Sequence, residues 1–414
     1  MAQLQPVRGT HDLLPDDARR HAHVAAVARD TAALYGFQEM ATPIFEFTEV
    51  FKRTLGETSD IVSKEMYTFE DRGGDLLTLR PEATAGIARA FISGGLQQNL
   101  PLKFFTSGPM FRYERPQKGR LRQFHQIDIE ILGVPEPAAD IEVIAVGAHI
   151  LDALGVRAET KLELNTLGDG DSRTAYRDVL VAYLNDHLDD LSEDSRARLT
   201  RNPLRILDSK DQGDRRIIDG APVYSDHLND DSRRFFDAVT GGLDDLGIAF
   251  EINPRLVRGL DYYCHTAFEF TTESLGAQGA VIAGGRYDGL VAQMGGPDTP
   301  GIGWAGGIER LAMLAGEAPA AVRPVAMVPL GADAERRTAS LADALRRAGI
   351  AVDIGYRGNL SRRMKRANRI GARFAVIVGD DEIAAATTTV RDLDSGEQQT
   401  VTFDRLADFL APYF

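Results

Sequence analysis

Only one cysteine, Cys264, occurs in the 414 residues. A single thiol can neither staple a chain nor build a CxxC zinc site, and it suits a reducing compartment, so a cytoplasmic protein is expected. No apolar run approaches the roughly 18 residues that a membrane span needs. Residues 1–17 hold charges and two prolines but no apolar stretch, so no signal peptide is expected. Basic residues are in the minority: 47 Lys plus Arg against 61 Asp plus Glu leave a net charge of −14. That balance is the reverse of the usual nucleic-acid binder, although local patches, not totals, set a contact field. There is no internal repeat, no low-complexity tract, no Walker A lysine and no HExxH. The eight histidines are scattered; His21 and His23 are two apart, which on a helix turns them to different faces. No metal site is expected.

The apolar share of 43% and charged share of 26% are ordinary globular usage, and the length suits two or three domains of about 150 residues. A boundary is expected near Gly316-Glu317-Ala318-Pro319, giving domains 1–320 and 321–414. The first mixes helix and strand, with a helix around Asp16–Tyr35 and a hairpin turn at Asp71–Asp75. Tyr176, Val179, Leu180, Tyr183, Leu184 and Leu188 keep helical spacing, so 171–246 reads as a helical insert. Strands return at Leu256–Thr271. The second domain reads strand, helix, strand, helix, strand: Pro324–Pro329, Ala334–Ala348, Ile350–Ile354, Leu360–Ile370 and Phe374–Val378, a small α/β domain.

Gly301-Ile302-Gly303-Trp304-Ala305-Gly306 fits GxGxxG by its letters. A dinucleotide fingerprint follows directly on a strand, whereas Gly295–Pro300 is a loop, so the match is one of spacing alone.

Three segments carry more chemistry. Lys103–Glu114 and Arg120–Leu132 are β-like runs joined by a basic, turn-rich tip, Arg115-Pro116-Gln117-Lys118-Gly119. Alternation puts Leu121, Ile127, Ile129 and Ile131 on one face. Arg122, Phe124, Gln126, Asp128 and Glu130 share the other, while Arg112 and Glu114 share a face of the first run. A solvated sheet face would carry the same pattern. Leu79-Arg80-Pro81-Glu82-Ala83-Thr84 ends a strand and opens a helix, with Pro81 in its first turn. Glu82 is there either to favour the helix dipole or to bind a ligand ammonium. In Val257-Arg258-Gly259-Leu260-Asp261-Tyr262-Tyr263, adjacent tyrosines on a strand point to opposite faces, so one of them at most belongs to a site. Cys264 reads as a core thiol.

With these residues in view, the chain resembles the class II aminoacyl-tRNA synthetases, and within them the histidyl-tRNA synthetase family, over nearly its whole length. Ala41-Thr42-Pro43-Ile44-Phe45-Glu46 resembles motif 1, which builds the dimer interface in the family. Phe111-Arg112-Tyr113-Glu114 through Arg122-Gln123-Phe124 resembles motif 2, and Gly303 through Ile308-Glu309-Arg310-Leu311 resembles motif 3. Arg258–Tyr263 and Gly284-Gly285-Arg286-Tyr287-Asp288-Gly289-Leu290 are similar to the family's two histidine-specific motifs.

The resemblance implies an α+β catalytic domain, with an antiparallel sheet flanked by helices and a helical insert, followed by an α/β anticodon-binding domain. It implies ATP-dependent ligation of L-histidine to tRNA(His) by a homodimer, with Mg²⁺ accompanying the ATP phosphates and no tightly bound cofactor. Arg112, Arg258 and Arg310 would hold phosphates, Arg258 at the α-phosphate where related enzymes place a metal ion. Phe124 would stack on adenine beside Glu114 and Arg120. Glu82, Thr84 and Gln126 would hold the substrate ammonium. Glu130, Tyr263 and Tyr287, with Tyr262 beside them, would bind the imidazole. Gln117 and Arg120 would meet the tRNA acceptor end.

Arg357 to Arg373 also holds Arg362, Arg363, Lys365, Arg366 and Arg369 without an intervening Asp or Glu. Arg362, Lys365, Arg366 and Arg369 fall on one helical face, which reads as an uncompensated phosphate footprint for tRNA. The alternative is a non-catalytic regulatory paralogue serving a histidine-biosynthetic phosphoribosyltransferase. Such proteins lack the C-terminal domain and tend to lose Arg258-type residues; both are present here.

Overall fold

The alternating run around residue 127 folds as one arm of a long hairpin. Leu102–Phe111 and Gln123–Leu132 pair antiparallel, with Leu102 opposite Leu132 and Phe111 opposite Gln123. The computed structural model describes residues 4–55, 61–257, 262–276, 279–317 and 319–414, which divide into two compact units, Met1–Ala318 and Pro319–Phe414.

In the first unit the hairpin lies within an eight-stranded sheet. Its order is Gln38–Glu39, Leu102–Phe111, Gln123–Leu132, Gly301–Gly307, Ala280–Arg286, Cys264–Thr271, Lys161–Thr166 and Glu251–Ile252. The pairings are antiparallel except for the two short edge strands. Ile127, Ile129 and Ile131 point into a core closed by helices Pro15–Leu34, Pro137–Ala153, Asp230–Asp245 and Ile308–Ala315. Burying one such side chain is worth about 1.5–3 kcal/mol, so a register slip that exposed all three would be heavily penalised. The opposite face is left to the polar residues of the same strand.

GxGxxG proves to be strand Gly301–Gly307 itself. Gly303 sits opposite Glu130, and a Cβ there would collide with that carboxylate. The glycine marks close approach between strands, not a phosphate loop.

The 171–246 segment is helical as expected but divides in two. Helix Gly170–Asp186 buries Tyr176, Leu180 and Leu184 against the short helices that follow it. Val179 and Leu188, read as part of that face, are exposed. Helix Asp230–Asp245 instead belongs to the sheet core through Val239 and Leu243. Its Gly242 lies so close to Ile141 that a Cβ would overlap that side chain.

Asp214 holds the smaller part together. Its carboxylate accepts hydrogen bonds from the Ser192 backbone N–H (2.8 Å) and from the hydroxyls of Ser192 (2.7 Å), Ser195 (2.6 Å) and Ser209 (2.6 Å). Burial opposes ionisation, but these donors prevail and hold the carboxyl down at about 2. The stabilisation is therefore present above the unfolded carboxyl's pKa of about 3.9 and is lost as pH falls through the folded value. Asp214→Ala is expected to destabilise this segment by about 2–4 kcal/mol, seen as faster hydrogen exchange confined to 188–219.

The second unit carries a five-stranded sheet ordered Val352–Ile354, Val325–Pro329, Phe374–Val378, Thr387–Asp392 and Gln398–Thr402. The first three are parallel, joined through helices Ala332–Arg347 and Leu360–Arg369. The last two form an antiparallel hairpin that the sequence reading missed.

Candidate active site

Strand alternation delivers Gln126, Asp128 and Glu130 to the face of the large sheet opposite Ile127, Ile129 and Ile131. There Gln126 and Asp128 line a cavity of about 230 Å³ with Glu82, Arg112, Tyr287 and Arg310, and Glu130 lies in the wall behind, bonded to the lining residues Thr84 and Tyr287. Its two ends differ in chemistry.

At one end, Glu130 is buried and accepts hydrogen bonds from Thr84 Oγ1 (2.6 Å) and from the Tyr287 hydroxyl. Burial pushes its carboxyl up to about 8 despite these donors. Glu82 spends its oxygens on the backbone N–H groups of Thr84 (2.9 Å) and Ala85 (2.8 Å). It thus serves the helix N-terminus and also lines the cavity. Helix Thr84–Ser93 opens at Thr84, which leaves Pro81 ahead of it instead of in its first turn. Gln126 Oε1 and Asp128 Oδ2 are buried without a partner among the described residues. Burial, with Glu130 and Glu82 nearby, raises the Asp128 carboxyl well above its usual range.

Both adjacent tyrosines line this cavity, against the expectation of one in and one out. The strand begins only at Cys264, so alternation does not govern residues 262–263. The two rings lie 4.5 Å apart between centroids, and Tyr262 meets Tyr287 edge-on at 5.8 Å. Cys264 is half-buried, and desolvation raises its thiol to about 12.

Guanidinium groups gather at the other end. Arg112 lies past the strand end at Phe111, so its placement owes nothing to alternation. Its Nε donates to Pro81 O (2.8 Å), and its guanidinium stands 5.3 Å from the Phe124 ring centre. Arg310, on helix Ile308–Ala315, donates to Gly119 O (3.0 Å) and Ala280 O (2.6 Å). Burial lowers its pKa, and repulsion from Arg120 and Arg112 lowers it further. Arg120 pairs with Glu114, which is buried in the same wall. Gln117 and Arg120 exchange backbone hydrogen bonds of 3.0 and 2.9 Å, which makes a tight turn of the hairpin tip. Gln117 and Lys118 are exposed there.

Arg258 lies outside the described residues, as do Gly259, Leu260 and Asp261. Arg286 does not enter the cavity. It is fully buried in an ion pair with Asp140 and another with Asp288 (3.0 Å). Asp128 is a lining carboxylate without an assigned role, although strand alternation places it on the same face as Gln126 and Glu130.

The basic stripe of the second unit is less uniform than its sequence suggests. Arg366 pairs with Asp353 (2.7 Å), Arg363 with Glu335 (2.9 Å), and Arg373 with Asp392 (2.8 Å) and Asp394 (2.5 Å). The partners come from other elements, so the expectation of an uncompensated stripe fails at Arg366, and Arg363 and Arg373, off that helical face, are paired as well. Arg362, Lys365 and Arg369 remain exposed on one face of helix Leu360–Arg369.

Comparison with known proteins agrees with this geometry. The family described as Histidyl-tRNA synthetase matches residues 9–311, and Anticodon binding domain matches residues 324–412. A histidine–tRNA ligase of Rhodospirillum rubrum is 64% identical over 414 residues, covering 100% of both chains. One of Gluconacetobacter diazotrophicus is 59% identical over 411 residues, covering 99% of each. The crystal structure of an apo histidyl-tRNA synthetase from S. aureus superposes with a TM-score of 0.83 at 34% identity, covering 99% of this chain and 100% of that one. With family matches spanning both units and relatives aligned from end to end, the chain belongs to the histidyl-tRNA synthetase family.

Proposed function

We propose that the protein activates L-histidine with ATP and transfers it to tRNA(His), releasing pyrophosphate and then AMP. The observation that carries this reading is the two-ended cavity: carboxylates and hydroxyls at one end, three guanidinium groups at the other, about 230 Å³ in all. A histidine ammonium and imidazole match the first end. A nucleotide polyphosphate, brought in with its Mg²⁺, matches the second.

The chemistry asks little of the protein beyond charge and alignment. The histidine carboxylate attacks the α-phosphorus of ATP, and pyrophosphate leaves in line. The carboxylate is already ionised, so no general base is needed. Two anions must meet, and fixed cations offset their repulsion as charge redistributes. Arg112 and Arg310, with Arg258, take this role, while Phe124 stacks on adenine beside Glu114 and Arg120. Glu82, Thr84 and Gln126 hold the ammonium. Glu130, Tyr263 and Tyr287 hold the imidazole, with Tyr262 closing the wall. The terminal ribose hydroxyl of tRNA then displaces AMP, with Gln117 and Arg120 of the hairpin tip at the acceptor end. The regulatory alternative is not favoured, because residues 324–412 carry the anticodon-binding family match. Charging of tRNA(His) with labelled histidine tests the whole reading; a folded protein that charges no tRNA would refute it.

Glu130 gives the site a pH dependence. Its carboxyl titrates at about 8 in the free protein, so the charged acceptor for an imidazole N–H is populated only as pH rises through that value. Histidine binding at pH 7 is expected to release a proton, and KM for histidine to fall between pH 7 and 8.5. Calorimetry in buffers of different ionisation enthalpy reads the proton directly; Glu130→Gln should abolish it.

Arg362, Lys365 and Arg369 are the cations we assign to tRNA phosphates. Arg366 contributes less, being already neutralised by Asp353. Replacing the first three by alanine is expected to reduce the slope of log K for tRNA against log salt by about 2–3, with adenylation unchanged. An equal loss of adenylation would make the patch structural.

A cytoplasmic homodimer is the form we assign. Ile44, Phe45, Phe47, Phe69 and Leu76 are exposed on or beside the three-stranded sheet Phe45–Phe47, Leu76–Leu79, Tyr67–Glu70. This apolar surface includes Ile44 and Phe45 of the motif 1 segment and suits burial against a second copy. Among the described residues, no helix is long and apolar enough to cross a membrane.

A further inference from the structure

Behind the nucleotide end of the cavity, three metal-ligating side chains converge from three separate elements. His21 comes from helix Pro15–Leu34, His125 from strand Gln123–Leu132, and Glu309 from the first turn of helix Ile308–Ala315. One ligand atom of each lies within 4.8 Å of the other two. The His21 and His125 rings meet edge-on with centroids 5.5 Å apart.

Glu309 is fixed before any ligand arrives. Its oxygens accept from the His125 backbone N–H at 2.9 and 3.0 Å, and Oε1 lies 2.9 Å from His125 Nδ1. These contacts leave His21 out. Its Nδ1 is buried and has no partner among the described residues, an exceptional state for a buried polar atom. A second cavity, of about 250 Å³, opens beside the cluster and is lined by His21, Glu309, His11 and Asp17. It offers a fourth ligand position to water or to His11.

We propose that His21, His125 and Glu309 form a binding site for one transition-metal dication of the Zn²⁺ class, with its fourth position facing this second cavity. Two imidazoles and a carboxylate are a Zn²⁺ donor set and a poor one for Mg²⁺ or Ca²⁺, which take oxygen ligands. Burial lowers the pKa of His21, with Glu309 partly opposing the effect, and a metal-bound imidazole has to be neutral. To close the site, the His125–Glu309 side-chain contact opens and the metal takes its place, while the backbone N–H of His125 continues to orient the carboxylate. The bound ion would pin helix Pro15–Leu34 to the segments that carry Phe124 and Arg310. The site runs against the sequence reading, in which the histidines were scattered and no metal site was expected. His21 and His125 are 104 positions apart, and only the fold brings them together.

The test titrates the metal-free full-length protein with Zn²⁺, using Co²⁺ as the spectroscopic probe. One Zn²⁺ per chain with submicromolar affinity is expected, with intense visible bands of tetrahedral Co²⁺ and a rise in Tm set by mass action. His21→Ala and the shape-conserving His21→Phe should each weaken Zn²⁺ at least 100-fold and remove the Co²⁺ bands. Adenylation by the metal-free protein should be unchanged in both. His187→Ala, remote in sequence and on another element, should bind as the parent does. Absence of stoichiometric Zn²⁺, or binding equal in parent and both His21 variants, would overturn the proposal.

Discussion

Glu130→Ala is expected to lower kcat/KM for histidine in ATP–pyrophosphate exchange by about 10³–10⁴-fold, with KM for ATP nearly unchanged. The magnitude follows from what the substitution leaves behind. Glu130 accepts from Thr84 and Tyr287 inside a buried wall, so its loss strands two hydroxyls as well as removing the acceptor for the imidazole. A site built to hydrogen-bond its substrate fails steeply once those partners are missing. Discrimination should weaken with it: amino acids of similar size but without an imidazole should lose less activity than histidine does. A variant that kept parental KM for histidine would remove Glu130 from the binding site.

Arg310→Ala carries the second large effect. Adenylation is expected to fall by about 10²–10³-fold, the usual cost of one charge-stabilising donor. Arg310 also holds Gly119 and Ala280 by their carbonyls, so a structural contribution has to be separated. Histidine binding without ATP, read by calorimetry, should be unchanged, and Tm should move little. Equal losses of histidine affinity and of exchange would point to collapse of the cavity wall instead of loss of a phosphate-facing cation.

Much of this site was legible from single strands. Period two assigned Ile127, Ile129 and Ile131 to the core and Gln126, Asp128 and Glu130 to the opposite face, because a half-buried strand has to separate them. The rest depended on where a strand starts or on a distant partner. Tyr262 and Tyr263 share the cavity because pairing begins at Cys264, a boundary that an apolar, aromatic run does not mark. The loss of Arg366 and Arg373 from the free basic patch depends on Asp353, Asp392 and Asp394, which lie on other elements. Helix Asp230–Asp245 has the same periodicity as its neighbours, and only packing against Ile141 assigns it to the sheet core. The hairpin Thr387–Thr402 is polar and threonine-rich, with weak alternation, so its strands left little pattern to read.

The most direct measurement is ATP–pyrophosphate exchange by the full-length protein with each of the twenty amino acids in turn, without tRNA. Exchange with histidine, and at background with the other nineteen, is the expected result. It would establish adenylation and the amino acid together. A folded protein that exchanges with none of the twenty, or equally well with several, would contradict the assignment of the cavity to histidine activation.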